Sequence, residues 1–253
     1  MRTFVEHWLR GNPVKNFGEW LIPDILGLFD AHDDINAAGD TCVLALGSNL
    51  NGSQVSSLYH KYGKITIWGQ GYTPAFGFHE PVVPSHVDIR AVRGPLTQQV
   101  CGLPKSIPTG DPGFLIALAH PEYSWEAKSG PVYVPHHALR KLPATSAEYV
   151  DILSDRSGFL RTYNRLLSSE FVYTSALHVA IFCLAYRIPF GLVLPIGGKL
   201  ECHFKFHDVF QWAGIPLEWN YTEEGARAWH NKISGYLLPD LSPLIDAFPY
   251  DLF

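Results

Sequence analysis

The sequence predicts an α/β fold with parallel sheets, built from two Rossmann-like halves. Three observations carry that expectation. Short apolar runs at 42–46, 65–68, 87–92, 132–134 and 190–194 alternate with segments of helical periodicity. The runs are followed by loops rich in Gly, Ser, Asn and His, where parallel sheets place their ligands. The polar stretch 125–130 (WEAKSG) separates two such series, so the halves are expected at 1–127 and 128–253, the second carrying a C-terminal tail.

Each element follows from local pattern. Residues 3–9 read as a first strand and 11–18 as a loop. Residues 19–32 place Trp20, Ile22, Ile25, Leu26 and Phe29 at near-helical spacing, with Pro23 expected in the first turn, where proline is tolerated. Strands at 42–46 and 65–68 run into Gly47-Ser48-Asn49 and Gly69-Gln70-Gly71. The strand at 87–92 ends at Arg93-Gly94, and Pro95 then opens a helix over 96–101. Residues 107–109 lead into Gly110-Asp111-Pro112-Gly113, and 114–119 read as helix. In the second series, 132–134 is a strand ending in Pro135-His136-His137. Residues 149–153 are a strand or short helix, 158–167 a helix and 170–173 a strand. Thr174 or Ser175 is expected to cap a helix over 176–186, and 190–194 returns as a strand. Phe204 and Phe206 alternate as in a strand, and 221–232 is a polar helix.

Composition removes several function classes. The chain has 253 residues, 47% hydrophobic and 17% charged, which excludes a disordered protein. A net charge of −5 without a Lys/Arg run argues against nucleic-acid binding, so an anionic ligand must be held by local donors. Cys42, Cys101, Cys183 and Cys202 form no CxxC pair. They read as reduced core thiols, which fits a cytoplasmic location. The N-terminus lacks the uninterrupted apolar core of a signal peptide, and Arg187 and Pro189 interrupt the most apolar stretch, 171–196. Aromatics at 13% are common in proteins that hold sugars.

Three segments place a strand end against a helix N-terminus, where free N–H groups favour anions: Asn16–Glu19 with Gly18, Val92–Pro95, and Thr174–His178. Arg93 puts a planar cation at the second, as an anion ligand or as an ordinary ion-paired arginine. His178 falls in the first turn of an apolar helix, where the dipole favours neutral imidazole, as an acid/base group or as a buried histidine satisfying a hydrogen bond. His136 and His137 sit at a strand end, and on extended chain only one would face a site. His203 and His207 mimic a metal-binding i, i+4 pair, but the strand-like alternation there argues against a metal. Asp111 orients a donor, binds a hydroxyl or makes an Asx turn. Gly69-Gln70-Gly71 is not GxGxxG, because Pro74 breaks it, and neither GxxxxGK[ST] nor GxSxG occurs.

The order of the motifs NFGEWL, LALGSNL, IWGQGY, IRAVRGPLTQQVCG, PTGDPGFL, VYVPHH and EFVYTSALHVAIFCLAYRIPF resembles the polysaccharide pyruvyltransferase family. KFHDVF and the terminal AFPYDLF resemble its exopolysaccharide (xanthan-type) branch. The resemblance implies a GT-B-like fold, two Rossmann-like domains facing a cleft. It implies transfer of pyruvate from phosphoenolpyruvate to two hydroxyls of one sugar, forming a cyclic ketal and releasing phosphate. The implied acceptor is a lipid-linked oligosaccharide or glycan at the cytoplasmic membrane face, which an aromatic, apolar tail could touch peripherally. Phosphoenolpyruvate is then a co-substrate, with no cofactor and no metal. By position, His178 and Arg93 match motif residues; they are the main catalytic candidates, with His136 or His137 as a second acid/base group. Arg93, Ser175, Lys205, Asn16 and Gly18 are donor-binding candidates, and Gly69, Gly71 and Asp111 substrate-binding ones. Ala176 stands where some members have a donor arginine, so Lys205 or Arg93 must supply that cation. Glu19 replaces the usual aspartate, and Val179 replaces a glycine. The alternatives are a GT-B-type glycosyltransferase using a nucleotide sugar and a silent saccharide-binding protein.

Overall fold

A computed structural model describes residues 3–5, 12–31, 41–74, 87–139, 146–194 and 203–253. In chain order its strands are β1 (Thr3–Val5), β2 (Lys15–Asn16), β3 (Thr41–Leu44), β4 (Lys64–Gln70), β5 (Val87–Val92), β6 (Val132–Val134), β7 (Glu148–Tyr149), β8 (Leu153–Ser154), β9 (Val172–Thr174) and β10 (Phe190–Leu192). Its helices are α1 (Phe17–Gly27), α2 (Gly52–Tyr62), α3 (Pro95–Val100), α4 (Ile116–Ala119), α5 (Arg156–Ser168), α6 (Leu177–Tyr186), α7 (Phe204–Ala213), α8 (Glu223–Ile233) and α9 (Ser242–Asp246). Short 3₁₀ turns occupy Pro112–Leu115 and Tyr250–Leu252.

Eight of these strands form two parallel sheets, and β2 and β8 form a separate antiparallel pair. The first has the order β1-β3-β4-β5, and Thr109 extends it with a bridge to Val92. The second has the order β10-β9-β6-β7, and Asn220 bridges Val193 beyond β10. Counted from β6, the second sheet reads 2-1-3-4, a doubly-wound order whose direction reverses between β6 and β9. Thr174 fixes that crevice: its hydroxyl donates to the Val134 carbonyl at 2.7 Å and accepts the Ala176 N–H at 2.9 Å.

The halves are tied together. β2 pairs antiparallel with β8, and Arg156 on α5 reaches the Trp20 carbonyl and Asp24 on α1. One hydrophobic core takes in Phe17, Leu21, Trp68 and Phe114 from the first half and Val134, Phe159, Phe182 and Phe206 from the second. Segment 125–130 runs along the end of α5, with the Glu126 and Lys128 N–H groups on the Leu167 and Ser168 carbonyls and Trp125 Nε1 on the Ser169 carbonyl. The end of the chain returns to the first half: Phe248 stacks on Phe29 at 3.9 Å, the Leu244 carbonyl accepts Trp68 Nε1–H at 2.8 Å, and Asp251 pairs with Arg90. The aromatic tail and the Trp20/Leu21/Phe29 face are therefore largely spent on internal packing. Tyr250 and Phe253 stay exposed, and no helix among the described residues is long and apolar enough to cross a membrane.

Several local expectations are corrected. Pro23 is in the interior of α1, not its first turn, and its ring lies on the exposed face. Residues 148–154 form two separate two-residue strands, one in each of two sheets. Neither Thr174 nor Ser175 caps α6: the N-cap is Ala176, without a side-chain cap, because Thr174 is engaged by Ala176 and Val134 and Ser175 by His136. Phe204 and Phe206 belong to a helix, α7, where Phe206 faces the main core and Phe204 packs on Tyr72 at its edge. Cys42, Cys101 and Cys183 are buried free thiols, whereas Cys202 and the ends of some predicted elements lie outside the described residues.

Candidate active site

A cavity of about 220 Å³ opens at the switch point of the second sheet, where the two halves meet. The first half lines it with Asn16–Glu19 and with Leu46–Asn49, the loop after β3. The second half supplies His136, His137, Ile152, Ala176–Val179 and Lys205.

Two helix N-termini face this cavity, and they differ. On α1 the Asn16 side chain accepts the Glu19 N–H at 3.1 Å while Glu19 accepts the Asn16 N–H at 3.3 Å. This capping box occupies a free donor and adds an acid, so α1 offers little to an anion. The first turn of α6 has no side-chain cap and carries no acid. Its N–H groups at Leu177–Val179 are the open positive end, as an anion site requires.

The basic groups converge on that end. Lys205 Nζ, from the first turn of α7, lies 3.4 Å from His136 Nε2. The rings of His136 and His137 stand 4.2 Å apart, and both line the cavity. The chain turns immediately after β6, so the alternation expected of an extended strand does not apply. Burial, with Lys205 next in size, pushes His136 down to about 3. The His178 side chain keeps 20% of its surface exposed, but Nε2 is covered and without a hydrogen bond. Burial, then the Lys205 and Arg93 cations, pushes His178 down to about 3. Gly18 makes room for this ring: a Cβ there would stand 2.2 Å from His178 Nδ1.

The remaining candidates form the wall behind the cavity. Arg93 is 1% exposed. Its Nε donates to Asp208 Oδ2 at 3.1 Å, Nη1 to Ser48 Oγ at 2.6 Å and to the Gly47 carbonyl, and Nη2 to the Tyr72 carbonyl at 2.8 Å. It holds the 47–48 loop in place rather than lining the cavity. Gly69 and Gly71 are close-approach positions: a Cβ at Gly69 would strike Pro112 at 2.1 Å, and one at Gly71 the Arg93 guanidinium at 2.0 Å. Ser175 is buried and accepts the His136 N–H at 2.9 Å. Asp111 is fully buried; Oδ1 accepts the Gly113 N–H at 2.9 Å, and Oδ2 lies 3.8 Å from His178 Nε2. Burial pushes Asp111 up to about 7. Among the described residues no cluster of three or more potential ligands could hold a metal.

Four positions escape sequence reasoning. Ser48 and Asn49 line the cavity although only their motif was noted, and the polar run after an apolar strand was the available signal. Gln70 carries them, accepting the Asn49 N–H at 3.1 Å and donating to the Leu46 carbonyl at 2.8 Å. Asp208 accepts from Arg93, the Thr97 hydroxyl and the Leu96 and Thr97 N–H groups, so it caps α3 from α7. The strand reading around Phe204 hid it; on a helix it is a lone acid beside Val209 and Phe210.

A crystal structure of a functionally uncharacterized protein from Klebsiella pneumoniae is similar in fold, with a TM-score of 0.58 at 13% identity over 87% of this chain and 93% of that one. The succinoglycan biosynthesis protein ExoV of Rhizobium meliloti is 27% identical over 184 residues, 70% of this chain. The match spans 55% of that relative's length. A family model described as polysaccharide pyruvyl transferase matches residues 6–194, which takes in both sheets apart from β1 and all of the cavity wall except Lys205. The chain belongs to the polysaccharide pyruvyl transferase family.

Proposed function

We propose that the chain transfers pyruvate from phosphoenolpyruvate to two hydroxyls of one sugar in an exopolysaccharide repeat unit, releasing phosphate. The observation that carries this reading is the meeting of the uncapped α6 N-terminus, Lys205 and a neutral histidine in one cavity. Phosphoenolpyruvate carries a phosphate and a carboxylate, which the helix end and the ammonium suit. Lys205 then takes the place of the cation missing at Ala176.

The chemistry asks for one acid/base group near the donor. His178 Nδ1, on the side of the ring towards Gly18, gives a proton to the methylene carbon, which becomes the methyl group. The first hydroxyl oxygen bonds to C2 and loses its proton to Nδ1. The C2–O bond to phosphate then breaks with its electron pair on phosphate, and the second hydroxyl closes the ketal as its proton leaves with phosphate. Each bond made at C2 is matched, and His178 ends as it began. His136 and His137 flank the donor anion. The acceptor is read as a lipid-linked glycan met from the cytoplasm, and the two sheets as a GT-B-like pair. Phosphoenolpyruvate is the co-substrate and no cofactor is required.

The Ala176 substitution favours a nucleotide-sugar glycosyltransferase as the second reading. Thermal unfolding with phosphoenolpyruvate and with a panel of nucleotide sugars separates the two. A ligand at about 100 times its Kd adds roughly 2.7 kcal/mol. A shift with phosphoenolpyruvate alone, followed by acceptor-dependent phosphate release, supports pyruvyl transfer. A shift with nucleotide sugars alone refutes it.

A further inference from the structure

We propose that Asp111 is the positioning residue for His178: it holds the ring through Nε2 and decides whether Nδ1 meets the cavity as an N–H or as a lone pair. The role assigned to Nδ1 rests on the donor reading above; the hold on the ring does not. Asp111 Oδ2 and His178 Nε2 are both buried, and neither has a hydrogen-bond partner. They face each other at 3.8 Å, about 1 Å beyond a charge-assisted hydrogen bond. Buried polar atoms without partners are rare and costly, so two of them aimed at each other mark a contact that closes when the ring moves. The other Asp111 oxygen is anchored by the Gly113 N–H, so the carboxyl group cannot swing away. The ring is confined from the other side by Gly18.

The pair has two states that differ by one proton. With Asp111 protonated, its O–H serves Nε2, and the proton of the neutral imidazole sits on Nδ1. With Asp111 ionised, Nε2 carries the proton and Nδ1 is bare. In turnover Nδ1–H goes to the methylene carbon while the Asp111 proton moves to Nε2. The hydroxyl proton then restores Nδ1–H, and the Nε2 proton returns to Asp111. No net proton or charge is left on the pair. Burial, the largest influence on Asp111, pushes it up to about 7, and Arg93 and Asp208 act on it in opposite directions. Lys205 and Arg93 face His178 and oppose its protonation, and His136 is itself pushed down to about 3. His137 and Glu19 stand on the same cavity wall and complete the ionisable groups around the pair.

Asp111→Asn tests this. Asparagine keeps the acceptor for Gly113 but presents an NH₂ to Nε2, locking the proton on Nδ1 and leaving no second proton to pass. Histidine-15N NMR of the full chain reads the tautomer directly, with the His178 signals assigned by their loss in His178→Gln. The expected result is a swap from Nδ1–H at pH 6 to Nε2–H at pH 8.5 in the wild type, with Nδ1–H at both in Asp111→Asn. Phosphate release should fall at least ~100-fold in kcat with donor KM little changed, because Nδ1–H is present but no second proton follows it from the asparagine. One tautomer throughout in the wild type overturns the proposal, and that comparison stands even if the variant does not fold. A wild type that swaps tautomer but never releases phosphate refutes the donor reading and leaves the hold of Asp111 on His178 intact.

Discussion

Replacing Arg93 separates a scaffold arginine from a ligand arginine. In Arg93→Met the stem still packs, but Asp208, itself fully buried, loses its ion pair. Breaking a buried pair in this way costs about 3–5 kcal/mol, because a charge remains without compensation. Asp208 keeps the Thr97 hydroxyl and two backbone N–H groups, which places the loss at the lower end. The Tyr72 carbonyl loses its guanidinium donor, worth about 1 kcal/mol more, whereas the Gly47 carbonyl keeps the Gly71 N–H. The total is about 4–5 kcal/mol, a large share of the ~5–15 kcal/mol that holds a typical domain folded. At roughly 2–4 °C per kcal/mol for a chain of this size, the midpoint should fall by about 10–20 °C with no ligand present. Thermal and urea unfolding of Arg93→Met, Asp208→Asn and the double variant give the coupling, and the double should lose at least ~2 kcal/mol less than the sum of the singles. A midpoint in Arg93→Met within about 2 °C of wild type, together with loss of the donor-induced shift, would show an arginine that binds ligand and would refute the scaffold assignment.

Gly18→Ala should leave the fold standing and stop the chemistry. The gain of about 1 kcal/mol in helix propensity offsets much of the ~1–3 kcal/mol of overpacking, but the ring 2.2 Å away must move, and turnover should drop ~100-fold. Unchanged turnover would place the reacting group elsewhere. Lys205→Met should weaken phosphoenolpyruvate by about 10- to 100-fold, the worth of one charge-assisted hydrogen bond, as read by calorimetry; an unaltered Kd would remove Lys205 from the donor site. Stability should also depend on acid in a defined direction. His178 and His136, held near 3, take up fewer protons when folded than the unfolded chain does at its ordinary 6.5. Stability is then full above about pH 6.5 and falls as pH drops towards 3, by up to ~1.4 kcal/mol per pH unit for each ring. Asp111, raised to about 7, works the other way: its burial is free below about pH 4 and costs progressively more up to 7. Urea midpoints between pH 4 and 8 for the wild type, Asp111→Asn and His178→Gln should show these opposite slopes; parallel curves would contradict both assignments.

Strands were legible where their bounds depend on neighbouring residues alone. The apolar runs at Val87–Val92 and Val132–Val134 appear with the expected bounds. Asn16, Gly18, His136, His137, His178 and Lys205 do meet in one cavity, His136, His137 and His178 because they follow the ends of the parallel strands β6 and β9. What was not legible depends on partners far along the chain. Arg93 looks like a cation at a helix start until Asp208, 115 residues away, is found beneath it. Gly69 and Gly71 look like a ligand loop until Pro112 and the guanidinium fill the space beside them. At Phe204 and Phe206, a spacing of two in a short apolar run fits either secondary structure, and burial against two different clusters decided for helix.

The returning tail sets an order on biosynthesis. Trp68 and Phe29 emerge from the ribosome early, yet the carbonyl that accepts the indole N–H is made 176 residues after Trp68, and the ring that stacks on Phe29 comes later still. Until then a nascent first half shows water two large aromatic rings that the finished protein covers. Those two contacts therefore form last although their rings are translated early, and until then the rings are apolar surface that a chaperone can hold.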